Sequence, residues 1–292
     1  MAKTIDEAFR IFHTWLTPSI TESSAAKAHR ASIEASLRSN FEISRFWRTG
    51  SFGNGTSISG YSDVDYFASI PLRHQRTNSA TMLTTVRDAL DRRFPRTGVH
   101  VDSPAVVLPF GADKSEWTEV VPAYLAGETS GRKFVYHIPD GYCGWIRSSP
   151  DAHNAYVSAI NDYGILSDKV KPLIRFIKAW KYYCNVPISS FYLELRVASY
   201  AGTQPAIIYS IDVHRVFEML WQDQLAPFFD PMGVTGHVAA CDTAAKHADA
   251  LSKLRTALPR AWKARDYEAN GRIPDAFYWW NLVYNGHFPA YG

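Results

Sequence analysis

Two aspartates separated by one residue, Asp63 and Asp65, carry the strongest chemical signal in the sequence. They open the segment DVDYFASIP (63–71), whose alternation of residue types predicts a β-strand. Residues i and i+2 of a strand point to the same face, so the two carboxylates are predicted to lie side by side. They would repel each other unless a cation compensates their charge, and hard oxygen ligands suit Mg²⁺ or Mn²⁺. Two such ions roughly 4 Å apart can activate an attacking hydroxyl and stabilise a departing pyrophosphate.

A polar, glycine-rich run, TGSFGNGTSISGYS (49–62), directly precedes these aspartates. Gly50 allows the backbone to turn tightly and to approach a ligand closely. The backbone amides that follow it and the Ser51 hydroxyl can donate to phosphate oxygens, and Thr56 of the same run is a further candidate for nucleotide binding. The run is not a Walker motif, because no Gly-Lys-Ser/Thr closes it. An isolated Asp-x-Asp is usually a solvated turn, but a Gly-Ser turn followed by Asp-x-Asp at the start of an apolar strand predicts a site for metal and triphosphate.

A third carboxylate is expected on a neighbouring strand. Glu119 is the candidate, because EWTEVVPAYL (116–125) is predicted to be a strand that can pair beside the one with the aspartates. A solvent-facing glutamate is the alternative interpretation of this residue. Asp102 and Asp113 could replace it, although both are more typical of turn residues.

Composition restricts the class of protein without identifying it. Of the 292 residues, 46% are hydrophobic and 20% are charged, which is typical of a soluble globular protein. The net charge of +3 suits small anions such as nucleotides, whereas duplex-binding proteins usually have a stronger basic stripe. Three cysteines without close pairing indicate neither a zinc motif nor a disulfide framework, and they fit the cytoplasm. No apolar stretch approaches the length of a membrane span.

The pattern of elements predicts an α+β protein with two lobes. Helices are predicted over 4–16, 21–40 and 80–93, and strands over 41–48, 63–71, 99–110 and 116–125. The second half is predicted to be mostly helical, with helices over 167–184, 191–201, 205–220 and 243–268. We therefore expect a mixed-sheet catalytic lobe over residues 1–165 and a helical lobe over 166–292 that completes a nucleotide cleft.

The segment GSFGNGTSISGYSDVDYF (50–67) resembles the active-site signature of the DNA polymerase β-like nucleotidyltransferases. More closely, it resembles the bacterial cyclic-oligonucleotide synthases (the CD-NTase or SMODS family), which are related to cyclic GMP-AMP synthase and oligoadenylate synthetase. The similarity covers nearly the whole chain. It includes EVVPAY (119–124), YHIPDGYCGWIRSSPDAH (136–153), LIRFIKAWK (173–181), SSFYLEL (189–195) and FPAYG (288–292). The chain departs from the family at Glu119, where many relatives carry aspartate.

The resemblance implies roles for four residues of the helical lobe. Lys178 and Lys181 lie three residues apart on one predicted helix and would bind the triphosphate as point charges. Ser190 and Phe191 match a Ser-aromatic pair that contacts a base through a hydroxyl and ring stacking. A solvated lysine face and a core phenylalanine are the alternative interpretations.

The function that the resemblance implies is the condensation of nucleoside triphosphates into a cyclic di- or trinucleotide second messenger, with release of pyrophosphate. Two Mg²⁺ or Mn²⁺ ions would bind Asp63, Asp65 and Glu119. A separate effector protein would sense the product in bacterial antiphage (CBASS) signalling, and neither nucleic acid nor a membrane is expected as a partner. Two alternatives remain: transfer of a nucleotide to an RNA, protein or small-molecule acceptor, and a catalytically silent nucleotide-binding relative.

Overall fold

The structure is a computed structural model that describes residues 2–18, 24–61, 63–111 and 116–292. In the first half of the chain the helices and strands are α1 (Ile5–Leu16), α2 (Ser24–Phe41), β1 (Arg45–Arg48), α3 (Gly50–Asn54), β2 (Val64–Ser69), α4 (Ser79–Arg93), β3 (His100–Asp102), β4 (Ala105–Phe110), β5 (Glu116–Glu128), β6 (Phe134–Pro139) and β7 (Trp145–Ser148). They are followed by α5 (Pro150–Asn161), α6 (Val170–Tyr183), α7 (Ser190–Ala201), α8 (Tyr209–Gln222), β8 (Phe228–Phe229), β9 (His237–Val238), α9 (Ala244–Ala269) and α10 (Ile273–Val283).

The chain forms two compact units. The sheet unit consists of Ser19–Gly55 and Ser62–Ala155, and the helical unit consists of Met1–Pro18, Thr56–Tyr61 and Tyr156–Gly292. The predicted combination of a mixed sheet and a helical C-terminal part is confirmed. The units nevertheless divide the chain differently from the single boundary expected after residue 165, because α1 and residues 56–61 group with the C-terminal helices.

A mixed sheet forms the centre of the sheet unit. Its strand order is β1-β2-β5-β4-β3, and β6 and β7 extend it from β5. The pairs β1–β2 and β4–β5 are antiparallel, whereas β2 and β5 run parallel. Helices α2 and α4 bury their apolar side chains on one face of the sheet, together with Tyr66 and Val120. A smaller apolar cluster that includes Phe67 and Val121 forms from the alternate strand residues.

Two predicted strands of the sheet unit were wrong in their bounds. The strand expected over 41–48 begins only at Arg45, because α2 continues to Phe41, which is buried with Ile33 and Leu37 at helical spacing. The strand expected over 99–110 is a hairpin of β3 and β4. Pro104 interrupts it, since proline has no N–H to donate to a strand ladder.

Aromatic packing explains why α1 belongs to the helical unit. Its buried residues Ile5, Ala8, Phe9, Phe12 and Leu16 recur at helical spacing. The Phe9 ring lies 4.9 Å from that of Phe176 on α6, and the Phe12 ring lies 4.6 Å from that of Tyr284 after α10. Among the described residues, no helix is long and apolar enough to cross a membrane.

Candidate functional site

The parallel pairing of β2 and β5 places two predicted ligands opposite each other. Asp65 is in register with Glu119, and their side chains are hydrogen-bonded to each other. Asp63 lies exposed, one residue before β2 begins. The prediction that Glu119 lies on the strand beside the aspartates is therefore confirmed. Asp102 ends β3, and Asp113 lies outside the described residues.

Like charges and burial perturb the titration of Glu119. Burial, followed by the nearby negative charges of Asp65, Asp63 and Asp102, raises the pKa of its carboxyl to about 8. Both effects penalise the ionised carboxylate. A bound divalent cation would remove this penalty, because its charge compensates the carboxylates and metal ligation displaces the proton.

The donor set fits a hard divalent cation in its chemistry. All of these side chains offer carboxylate oxygens, which Mg²⁺ and Mn²⁺ prefer. Within the described part of the chain, no three acidic, histidine or cysteine side chains already converge as a complete metal site. The fit therefore rests on the charge and type of the donors and on the Asp65–Glu119 register.

Gly50 packs directly against Asp65. A Cβ atom on Gly50 would lie 1.8 Å from Oδ2 of Asp65, and the backbone of Gly50 has a φ of +56°, in the left-handed region. The amide of the preceding residue, Thr49, donates to the Asp65 carbonyl at 2.8 Å. Only glycine fits this position without moving the Asp65 carboxylate.

The predicted Gly-Ser turn is a short helix. Residues Gly50–Asn54 form α3, with Thr49 as the N-cap residue and Gly55 as the C-cap residue in the left-handed conformation. Ser51 is the second residue of α3 and is partly buried. Ser51 directly follows the glycine that packs on Asp65, and its phosphate contact stays a prediction.

Thr56 and Lys178 have a different environment from the one that a phosphate contact requires. Lys178 is fully buried, and its Nζ lies 2.7 Å from Oε1 of Glu194 and donates to the Thr56 carbonyl at 3.1 Å. The hydroxyl of Thr56, also fully buried, donates to the same Glu194 oxygen at 2.6 Å. The prediction that Lys178 presents its charge on an accessible face is wrong, because Glu194 already neutralises it inside the core.

Sequence reasoning missed Glu194. The available signal is a glutamate in an otherwise apolar stretch of α7, between Leu193 and Leu195, both of which are buried. A carboxylate among apolar neighbours on a helix needs a cationic partner, and Lys178 on α6 is that partner.

Lys181, Ser190 and Phe191 keep the features that their predicted roles need. The Nζ of Lys181 donates to Oγ of Ser190 at 2.6 Å, so a cation and a hydroxyl lie together at the start of α7. Lys181 also borders a cavity of about 460 Å³ that Ser189, Ala240 and Asp242 help to line. Phe191 exposes 37% of its surface, which does not fit the core alternative.

Comparison with known sequences decides the family. The sequence model of the Second Messenger Oligonucleotide or Dinucleotide Synthetase domain (SMODS) matches residues 3–161, more than half of the chain. The chain belongs to the SMODS family. A probable cyclic nucleotide synthase of Bacillus cereus (strain VD146) is 23% identical over 255 residues, which are 82% of this chain and 75% of that protein.

Solved structures share the SMODS chain's fold over nearly its full length. The E. coli MS115-1 CdnC structure with ATP has a TM-score of 0.76 at 16% identity and covers 98% of this chain and 99% of its own. The Vibrio cholerae cyclic AMP-GMP synthase DncV, in complex with the linear intermediate 5′ pppA(3′,5′)pG, has a TM-score of 0.76 at 13% identity and covers 99% and 98%. The fold is the polymerase β-like fold of these enzymes. The chain is a nucleotidyltransferase whose family reaction is synthesis of an oligonucleotide or dinucleotide second messenger.

Proposed function

We propose that this SMODS protein uses Asp63, Asp65 and Glu119 to hold two divalent cations, Mg²⁺ or Mn²⁺, and joins nucleoside triphosphates into a cyclic di- or trinucleotide. The observation that carries the proposal is the register of Asp65 with Glu119, together with the raised pKa of Glu119. When bound, the ions would activate the attacking hydroxyl and stabilise the charge on the departing pyrophosphate.

The residues around Asp65 would orient the triphosphate. Because Gly50 has no side chain, the backbone can pass close to the Asp65 carboxylate, and the Ser51 hydroxyl would donate to a phosphate oxygen next to it. In the helical unit, Lys181 would bind phosphate oxygens, while Ser190 and Phe191 would contact a base through the hydroxyl and by ring stacking. Lys178 is not assigned a phosphate contact, because its ammonium is buried against Glu194.

The reaction would be two successive phosphodiester condensations for a dinucleotide product. A ribose hydroxyl of one nucleotide attacks the α-phosphorus of another, the bond to the β-phosphate oxygen breaks, and pyrophosphate leaves. The linear product then turns in the site, and its second ribose hydroxyl attacks the remaining α-phosphorus, which releases a second pyrophosphate. The linear intermediate bound to DncV is consistent with this order in a protein of the same fold.

The cellular setting follows from the product. We place the reaction in the cytoplasm, where nucleoside triphosphates are abundant, and we propose that a separate effector protein senses the product in antiphage (CBASS) signalling. Family membership supports this role, since a second messenger acts only through a receptor.

Incubation with the four labelled nucleoside triphosphates and Mg²⁺ or Mn²⁺ tests the reaction class. A phosphatase-resistant product that forms without any added acceptor is expected. Transfer of label only to an added RNA, protein or small molecule would contradict the synthase assignment and identify a different nucleotidyltransferase. Nucleotide binding without turnover under any nucleotide and metal combination would indicate a catalytically silent relative.

A further inference from the structure

A buried polar cluster holds the chain where it leaves the Gly-Ser helix α3. The cluster consists of Thr56, Lys178 and Glu194, which expose 0%, 0% and 7% of their surfaces. Oε1 of Glu194 accepts from both the Thr56 hydroxyl and the Lys178 ammonium, and the same ammonium donates to the Thr56 carbonyl. The hydroxyl and the carbonyl of Thr56 are therefore both hydrogen-bonded to the Lys178–Glu194 pair.

The residues after Thr56 are also built into the helical unit. Nε of Arg175 donates to the Ser57 carbonyl at 3.1 Å, and the Ser59 amide donates to the Leu16 carbonyl at 2.9 Å. Ile58 is 1% exposed and belongs to the core of this unit. The segment that follows α3 is thus held at consecutive residues.

The chain that enters α3 is held as well. The Thr49 amide donates to the Asp65 carbonyl at 2.8 Å, and the Gly53 amide donates to the Thr49 carbonyl at 2.9 Å. Helix α3 therefore lies between two hydrogen-bonded residues. Thr49 bonds to the backbone of the candidate metal ligand Asp65, and Thr56 belongs to the buried cluster.

The chemistry of the cluster indicates more than a contribution to stability. A buried ion pair loses the hydration of both ions, and apolar residues of similar volume at such positions are often equally stable. Hydrogen bonds from a fixed pair have a direction, however, and a helix as short as α3 does not hold its own shape. An apolar pair could fill the space beside Thr56 but could not orient it.

We propose that Lys178 and Glu194 are positioning residues that orient Thr56 and thereby keep α3, with Gly50 and Ser51, in the conformation that binds triphosphate. The effect on turnover rests on the proposed function, whereas the effect on the conformation of α3 does not. Glu194 and Lys178 would contact no substrate atom and would act through the backbone at Thr56.

The test replaces the ion pair with an apolar pair, Lys178→Met together with Glu194→Leu. Hydrogen–deuterium exchange of residues 49–56 is measured on the full chain without nucleotide, and turnover is measured on the same sample. We expect a melting temperature within a few degrees of the wild type, at least about tenfold faster exchange at Gly53 and Gly55, and kcat reduced by about 10- to 100-fold. Wild-type exchange and wild-type kcat in a folded double variant would overturn the proposal.

Two variants of Thr56 test the proposal if the Lys178→Met/Glu194→Leu double variant does not fold. Thr56→Val removes only the hydroxyl, and we expect faster exchange at Gly55 and a kcat that falls more than KM rises. Thr56→Ser restores the hydroxyl and should bring exchange and kcat back towards wild type. If Thr56→Val and Thr56→Ser behave alike, the hydrogen bond to Glu194 does not position the loop.

The matched control is Tyr200→Phe, which removes another hydroxyl of the helical unit, a partly buried one that donates to Asp212 at 2.5 Å. It should leave both the exchange of residues 49–56 and kcat unchanged. A change in either with this control would indicate a general loosening of the helical unit. If the wild-type protein shows no turnover, the proposed function fails, but the exchange measurements still decide the role of Lys178 and Glu194.

Discussion

Replacement of Gly50 by alanine tests whether the phosphate-binding turn and the metal ligand form one site. The new Cβ would lie 1.8 Å from Oδ2 and 2.6 Å from Cγ of Asp65, so the carboxylate has to rotate away from its position. The distance to Cβ of Asp65 is 3.1 Å, which leaves the Asp65 backbone almost undisturbed. The substitution is therefore expected to move one ligand while the strand stays in place.

The expected cost to the fold is modest and the cost to activity is large. An alanine in the left-handed region, here at a φ of +56°, costs about 1–2 kcal/mol, which lowers the melting temperature by several degrees. Displacement of a group that stabilises the transition state typically costs at least about 100-fold in kcat. We expect Gly50→Ala to reduce product formation by that factor or more in a protein that remains folded.

Gly98→Ala is the matched control. Gly98 lies in the same unit with a φ of +79°, and a Cβ there would meet no atom within 4 Å. Both variants are assayed for melting temperature by calorimetry and for initial rate with labelled triphosphates. Equal activity of Gly50→Ala and Gly98→Ala would show that the contact between Gly50 and Asp65 has no role in the reaction.

Three further predictions concern the remaining site residues. The folded-state pKa of Glu119 is raised from 4.5 to about 8, so the folded chain keeps a proton that the unfolded chain releases. The stability that this proton provides is full below about pH 4.5 and is lost as the pH rises to about 8. The melting temperature of the metal-free protein should therefore fall over this pH range. Glu119→Gln should make the melting temperature less dependent on pH. Lys181→Ala should raise the nucleotide KM with little change in kcat, because a charge on the triphosphate stabilises ground and transition states alike; a lower kcat at unchanged KM would contradict this. Phe191→Ala should weaken nucleotide binding by about 1–3 kcal/mol in calorimetric titration at an unchanged melting temperature, whereas a lower melting temperature with unchanged affinity would make Phe191 a packing residue.

The acidic part of the site was predictable from the sequence because it depends on local rules. Asp63 and Asp65 are two residues apart at the start of a strand, and EVVPAY has the composition of a neighbouring buried strand. The pairing of these two strands was expected, but its register was not predictable from those rules. The parallel register that places Glu119 opposite Asp65 depends on the packing of the whole sheet.

The part of the site in the helical unit was harder to predict because burial is a tertiary property. Lys178 and Lys181 are three residues apart on α6, so their spacing alone suggests one shared face. The structure separates their roles, since Lys178 pairs with Glu194 in the core and Lys181 donates to Ser190. Glu194 is 16 positions from Lys178, and no periodicity connects the two residues.

Two further features of the fold were not predicted. The stretch 136–153 was assigned no helix or strand from its sequence, but it forms most of β6, β7 and the start of α5. These strands pair with each other and with β5, so their stability comes from partners distant in sequence. Helix α10 was not predicted, although Pro274 at its first turn is a recognised start signal.

The carboxylates of Asp63 and Asp65 are proposed to drive the synthesis of a cyclic oligonucleotide. The most direct measurement is mass spectrometry of the phosphatase-treated products that the wild type and the Asp63→Asn/Asp65→Asn variant form from the four nucleoside triphosphates with Mg²⁺ or Mn²⁺. We expect a cyclic product from the wild type and none from the variant. Without metal, the melting temperature of the variant should equal or exceed that of the wild type, because the repulsion between the carboxylates is removed. The same product from the folded variant, within tenfold of the wild-type amount, would contradict the proposal.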